Sequence, residues 1–294
     1  MQPVNTTYEP FSREPEYIEA NRAFMAEIPL DGVYRVLDLA CGTGLLTRLL
    51  LERNPDLRIT GIDLDPEQIG IARTELAASG HPVTESAQPR VANLESGVDL
   101  RIGSAMDLSD FADDSVDLVT IGNAIHLMPD RDLFLAEVHR VLRPGGSFFF
   151  NSVFFVGTYN AEAESVFAEW MKDAVLHLTK LNADRRAQGL PPIGRRRGTA
   201  GVAFDKGWLN AEQWAAALGD RQLETVSTNR REVRISRQGL AAIGAYGGLA
   251  ESLMSGYPVE IGSECLQAAA YSVFERLGID YVPRFWLEMH ARKP

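Results

Sequence analysis

Asp38-Leu39-Ala40-Cys41-Gly42-Thr43-Gly44 places a carboxylate, a thiol and two glycines between an apolar run, Tyr34 to Ala40, and a helix-like one, Leu45 to Glu52. A strand that feeds a helix through a glycine-rich turn lets the backbone approach a ligand closely, and open α/β sheets bind ligands at such strand ends. A dinucleotide fingerprint needs a third glycine three residues after Gly44, where this chain has Thr47. Asp38 would also repel a pyrophosphate, but it suits a ligand that carries an ammonium group. Asp63, in Gly61-Ile62-Asp63-Leu64-Asp65, ends the next strand-like run. It follows the turn by roughly 20 residues, the distance at which an acid can take both hydroxyls of a ribose. Two more such junctions follow, Gly103-Ser104-Ala105-Met106-Asp107-Leu108 and Gly122-Asn123-Ala124-Ile125-His126-Leu127-Met128-Pro129. An unperturbed imidazole, with a pKa of about 6.5, suits general-base work, and His126 could act so just past a strand end. The alternatives are a structural histidine or one that only positions an acceptor.

Taken in order, these segments resemble the motifs of class I S-adenosylmethionine (SAM)-dependent methyltransferases, and Asp38-x-Ala40-Cys41-Gly42-Thr43-Gly44 is similar to the first of them. The resemblance runs from about Tyr34 to Val153 and more loosely to the last strand. It implies that Asp38, Ala40, Cys41, Gly42 and Gly44 line the cofactor and that Asp63 takes its ribose hydroxyls. It also implies that Leu64 lies against the adenine, that Ala105 and Met106 flank the ring, and that Asn123 sits beside the methionine part. Members commonly carry Asp where this chain has Ser104, so Ser104 or a backbone carbonyl would have to serve the adenine amino group. The implied reaction passes a methyl by in-line displacement to an acceptor atom, leaving S-adenosylhomocysteine (SAH). It needs alignment and exclusion of water but no metal. The five histidines show no paired spacing for a metal site either.

Acceptor selection is expected in the second half of the chain and the N-terminal segment. Tyr8, Phe11 and Tyr17 lie in a segment that folds over the cofactor in similar enzymes. Phe154, Phe155, Tyr159, Trp170, Trp208, Trp214, Tyr246 and Tyr257 could form an apolar pocket or simply a helical core. From these, Tyr8, Phe11, Phe154, Tyr159, Trp208 and Tyr246, together with His177, are the expected substrate contacts. The composition suits a small apolar or aromatic acceptor, methylated on O or C. The alternative is an enzyme of secondary metabolism on the same fold that binds SAM or SAH and catalyses a non-methylating reaction such as cyclisation. Arg195-Arg196-Arg197 reads as a solvated charge run or as an anion anchor. Arg230, Arg231, Arg234 and Arg237 read as sheet-edge charges that discourage strand pairing.

The elements that position these residues alternate strand and helix through the first half, which implies parallel βαβ units. Strands are expected at 34–40, 57–63, 98–102, 115–121 and 147–153, with 81–97 a surface insertion and Arg143-Pro144-Gly145-Gly146 a turn. Beyond these lie helices at 161–187, 210–218 and 263–277 and strands at 223–235 and 281–291. The expected fold is a Rossmann-like, doubly wound, mostly parallel seven-stranded sheet with an antiparallel last strand and a helical cap. In that reading 1–30 is an N-terminal helical lid, 31–155 the SAM-binding core and 156–207 a cap insert. A core helix and strand follow at 208–236, a second cap insert at 237–279, and the final strand at 280–294.

The chain has 294 residues, 40 acidic against 29 Lys and Arg, and a net charge of -11. That balance argues against nucleic-acid or anionic-membrane partners, which need a basic surface. Two cysteines, Cys41 and Cys265, build neither a disulfide scaffold nor a structural zinc site. The polar start, Met1 to Pro10, lacks the core of a signal peptide, and no apolar run has the ~20 residues of a membrane span. The expected setting is the cytoplasm, as a monomer or homodimer with a small-molecule acceptor.

Overall fold

The computed structural model describes residues 9–81, 83–84, 97–195 and 207–294. Helices α1 (Glu9–Ser12) and α2 (Pro15–Ala26) precede β1 (Arg35–Leu39), α3 (Leu45–Arg53), β2 (Arg58–Asp63) and α4 (Pro66–Ala78). Next come the two-residue β3 (Val83–Thr84), β4 (Gly97–Ile102), β5 (Val116–Gly122), a 3-10 turn (Ile125–Leu127), α5 (Arg131–Val141) and β6 (Leu142–Ser152). The remainder is α6 (Ala161–Ala187), α7 (Ala211–Gly219), β7 (Glu224–Ile235), α8 (Arg237–Ala245), α9 (Gly247–Leu253), α10 (Val259–Leu277) and β8 (Val282–Arg292).

The strands form one sheet in the order β3-β4-β2-β1-β5-β6-β8-β7. Pairing is parallel from β3 to β6, and β8 runs antiparallel to β6. This is the expected doubly wound architecture with eight strands instead of seven. The added strand is β3, which pairs Val83 with Val98 and Thr84 with Asp99 in the segment read as an insertion. A second difference lies at Arg143–Gly146, which falls inside β6. The reason is a partner distant in sequence: Gly145 N–H donates to the Lys293 carbonyl at 2.9 Å, and Lys293 N–H to that of Gly146 at 3.0 Å. The last helix also starts earlier than Ser263, at Val259, directly after Pro258. No described helix is long and apolar enough to cross a membrane.

The described residues divide into two compact units. The first takes in residues within 20–156, 209–231 and 286–294. Its β6 shows the two-residue side-chain alternation of a strand. Phe149 joins a buried cluster with Phe24, Leu50, Ile59, Ile69 and Leu118. On the opposite face Phe148 meets Phe134 of α5, ring centroids 6.2 Å apart, and Phe150 meets Trp214 of α7 at 5.1 Å. Trp214, grouped by sequence with the cap aromatics, is therefore core of the sheet unit. It is placed there by α7, whose start is locked by reciprocal Asn210 and Gln213 side-chain bonds.

The reading of four arginines as edge charges holds for Arg230 and Arg234, which are exposed on the terminal strand β7, and is corrected for Arg231 and Arg237. Arg231 forms an ion pair with Glu288, which is 2 % exposed, and donates to Glu27 at 2.6 Å. Arg234 pairs with Glu232, and Arg237 is the first residue of α8. Burial pushes the Glu288 carboxyl up against the pull of Arg231. Arg231→Met would leave that carboxylate with Asn229, at 2.8 Å, as its remaining hydrogen-bond donor. A loss of about 2 kcal/mol in unfolding free energy is expected, below the full cost of breaking a buried pair because Arg231 is partly solvated. Urea denaturation at pH 7 checks this, and an unchanged midpoint would show the pair to be neutral.

The second unit takes in described residues within 1–19, 157–208 and 232–285. Its core is helical. The Trp170 indole N–H donates to the Leu266 carbonyl at 2.8 Å, joining α6 to α10, and the Ser263 hydroxyl donates to the Gly244 carbonyl at 3.0 Å, joining α10 to α8. Ser236 caps α8 through the Gly239 N–H at 3.0 Å and is itself held by Glu16.

Candidate cofactor and active site

The strand order reverses between β1 and β5, whose neighbours on either side are β2 and β6. Open sheets bind ligands at this switch point, outside the carboxyl ends of the strands. The chain leaves both strands there in left-handed backbone. Ala40 follows β1 at φ 49°, and Asn123 follows β5 at φ 51°. Such angles strain most L-residues; asparagine is among those that tolerate them best, whereas Ala40 carries the strain of its Cβ. Gly42 and Gly44 continue the turn at φ 52° and 79°.

Asp63 organises this turn. Its Oδ2 accepts from the Gly42 N–H at 2.8 Å and its Oδ1 from the Asp65 N–H at 2.9 Å. An ionised carboxylate has about four lone-pair sites, so each oxygen keeps capacity for one further donor. Asp65, in turn, is the N-cap of α4, accepting from the Glu67 N–H at 2.8 Å. Leu64, just past β2, is 71 % exposed, and Ile102, at the end of the adjacent β4 and in register with Asp63, is 62 % exposed. Two large apolar side chains left in water at neighbouring strand ends suit the faces of a flat ring. Ile102 was not identified from sequence, since its exposure depends on where β4 stops. Ser104 is half-buried and its hydroxyl accepts from the Met106 N–H at 3.1 Å, while Ala105 is buried.

Asp38 is wholly buried. Its carboxylate accepts from the hydroxyls of Thr47 at 2.7 Å and Thr120 at 3.1 Å. Burial pushes its pKa up to about 6, against those hydroxyl bonds. Thr47, which breaks the dinucleotide fingerprint, is thus a partner of Asp38. Thr120 is the other, and its one sequence signal is a hydroxyl inside an otherwise apolar strand. Cys41 is packed beside Gly61, where an added Cβ would lie 3.1 Å from its sulfur and 2.9 Å from Leu100. Burial pushes the Cys41 thiol up, so it stays neutral.

Around Asn123 the polar groups form a buried chain. The Asn151 side-chain amide donates to Asn21 at 2.9 Å, the Asn123 N–H donates to the Asn151 side-chain oxygen at 2.9 Å, and the Val153 N–H donates to the Asn123 side-chain oxygen at 2.9 Å. The Asn123 Nδ2 is buried and finds no acceptor among the described residues. The Gln68 Nε2, on the α4 side chain that borders Gly42, is in the same condition. A buried donor of this kind calls for a partner such as an ordered water or a ligand. His126 sits half-buried on the 3-10 turn, its ring 4.0 Å from that of Phe154 and tilted by 33°.

Asp38, Ala40–Gly44, Asp63, Leu64, Ser104–Met106, Asn123, His126 and Phe154 all belong to the sheet unit. Phe11, Tyr159, His177, Trp208 and Tyr246 belong to the helical unit. There Phe11 is fully buried, edge-on to Tyr17 at 5.3 Å. Tyr159 packs on Phe167 at 4.6 Å, and His177 meets the Ser272 hydroxyl at 3.2 Å. Tyr8, Arg196 and Arg197 lie outside the described residues.

Comparisons with known proteins bear on this arrangement. Residues 37–150 match a family described as a methyltransferase domain. A demethylmenaquinone methyltransferase of Symbiobacterium thermophilum is 33% identical over 129 residues, 44% of this chain and 46% of that protein. A methyltransferase candidate from Bacillus halodurans shares the fold at TM-score 0.54 and 17% identity, over 94% of this chain and 99% of that one. The [4+2]-cyclase SpnF shares it at TM-score 0.52 and 19% identity, over 95% and 82%. The chain spans less than half the length of the curated relatives it matches. Residues 37–150, with their glycine-rich turn after β1 and the acid that ends β2, are thus similar to a methyltransferase domain.

Proposed function

We propose that this protein methylates a carbon or oxygen atom of a small apolar or aromatic molecule, with SAM as donor. The observation that carries the reading is the Asp63 carboxylate. Two backbone amides hold it, one lone-pair site remains on each oxygen, and exposed Leu64 and Ile102 stand beside it. When bound, the cofactor supplies a methyl group on a sulfonium. Asp63 would take the two ribose hydroxyls, and Leu64, Ile102 and Met106 would flank the adenine, with Ser104 at its edge. The turn through Gly42 and Gly44 admits the ligand to the backbone. The Asn123 amide is a donor for the carboxylate of the methionine part, and Asp38 supplies negative charge toward its ammonium through the Thr47 and Thr120 hydroxyls. His126 accepts the proton of the acceptor, and Phe154 gives an aromatic ring a face to stack on. The relative named for demethylmenaquinone supports an aromatic acceptor.

The test is SAH release with a panel of demethylated quinols and phenols, run on the parent and on His126→Ala. The parent is expected to turn over at least one of them. The variant should lose about 100-fold in kcat while binding SAM normally, as expected for a lost proton acceptor. Conversion of an acceptor with no methyl incorporated would replace the reading with the cyclisation alternative. Binding of NAD in place of SAM would overturn it.

A further inference from the structure

Three asparagines are buried within the sheet unit: Asn21 on α2, Asn151 on β6 and Asn123 just past β5. Two backbone N–H groups, which can only donate, fix the direction of every amide among them. The Val153 N–H takes the Asn123 side-chain oxygen, so the Nδ2 is the other end of that amide. The Asn123 N–H takes the Asn151 side-chain oxygen, so the Asn151 Nδ2 faces Asn21 and meets its oxygen. Turning any one amide over would set donor against donor or acceptor against acceptor. The chain therefore ends in one defined group, the Asn123 Nδ2, which has no acceptor among the described residues although Asn123 is only 8 % exposed. The same bonds hold Asn123 in its left-handed conformation, at φ 51°. An added Cβ on Gly122 would lie 2.7 Å from the Leu46 Cδ1, so this turn lies against the start of α3, directly after Gly42 and Gly44.

We propose that Asn151 and Asn21 are positioning residues of the cofactor site, holding Asn123 so that its Nδ2 donates to the carboxylate of the methionine part. The inference rests on the SAM reading above and adds two residues that act through Asn123 rather than on the ligand. A carboxylate suits this donor, because a hydrogen bond to a charged acceptor is about twice as strong as one between neutral groups. The donor is also aimed in advance, so little ordering remains to be done when the ligand arrives. Asn151 can be altered without parting the strands. The Asn123 N–H also donates to the Asn151 backbone carbonyl at 3.1 Å, and that bond does not depend on the side chain.

Calorimetric titration of the full chain with SAH and with S-adenosyl-3-thiopropylamine tests the proposal. The second ligand keeps the adenosine, the sulfur and the amine of SAH and lacks its carboxylate. The parent is expected to prefer SAH by about tenfold or more, as for a hydrogen bond to a charged group. Asn151→Leu should bind SAH about tenfold more weakly while holding the analogue within about twofold. Asn21→Ala, which removes only the far end of the chain, should lose about threefold on SAH alone. With Asn123→Ala already present, neither substitution should change the preference further. A loosened fold would weaken both ligands together, and melting curves without ligand check each variant. Should Asn151→Leu not fold, Asn21→Ala decides on the same readout. A parent without preference for SAH, equal losses on both ligands, or SAH affinity unchanged in the variants would overturn the positioning role and leave the cofactor reading standing. A parent that binds neither ligand would overturn both.

Discussion

Asp63→Ala is expected to weaken SAM and SAH binding by about 1000-fold. Two charge-assisted hydrogen bonds to the ribose would be lost, each contributing roughly 1.5–3 kcal/mol. The loss also reaches the protein, because the Gly42 and Asp65 amides would lose their acceptor and the turn after β1 its tether to β2. Asp63→Asn should fall between the parent and alanine. It keeps one oxygen for Gly42 or a hydroxyl but brings an amide to the other position. Calorimetric titration with SAH gives the measurement directly, without any acceptor. Unchanged affinity in the alanine variant would mean that the ribose is held elsewhere and would remove the main support for the proposed cofactor geometry. Asp63 is half-buried and tethers the turn, so a melting curve in the absence of ligand is needed to separate lost binding from lost structure.

The second large effect is a pH dependence that originates at Asp38. Its folded-state pKa of about 6 lies above the ordinary value of 3.8. Between those limits the native protein binds the proton more tightly than the unfolded chain. Unfolding free energy therefore falls as pH rises through this window and levels off above it, a change of about 3 kcal/mol for a shift of this size. Asp38→Asn removes the charge but keeps an acceptor for one threonine hydroxyl and gives a donor to the other. The variant should match the parent near pH 4 and exceed it by about 3 kcal/mol near pH 7. Denaturant titrations at the two pH values read this difference, and a constant gap would show that Asp38 ionises as it does in the unfolded chain. A cationic cofactor favours the charged form, so SAM binding is expected to tighten from pH 5 to 7 in the parent and not in the variant.

The strands and helices of the first half were legible because each has a single periodicity and clear punctuation. Pro66 opens α4, Asp130 caps α5, and glycines mark the turn after β1. Errors fell where a partner distant in sequence decides the local structure. Arg143-Pro144-Gly145-Gly146 has every mark of a turn, yet Lys293 draws it into β6. Trp214 looked like a cap aromatic, yet α7 lays it under Phe150. Arg231 looked like an edge charge, yet Glu288, far along the chain, buries its guanidinium interaction.

At the candidate site the residue types were readable but their partnerships were not. The order of Asp38, the glycine turn, Asp63 and Asn123 along the chain sufficed for the fold class and the family resemblance, because backbone conformation and charge at strand ends are local properties. Which side chain meets which depends on strand order and register. Only the pairing of β1 with β5 brings the Thr120 hydroxyl to Asp38, and only that of β2 with β4 sets Ile102 beside Asp63. The buried Asn21–Asn151–Asn123 chain likewise joins a helix to two strands that no spacing relates. Local sequence thus determined the elements and the chemical groups at their ends. Long-range packing decided the burial that raises the Asp38 pKa and the donor left at Asn123, because each is a balance of desolvation against partners supplied by other elements.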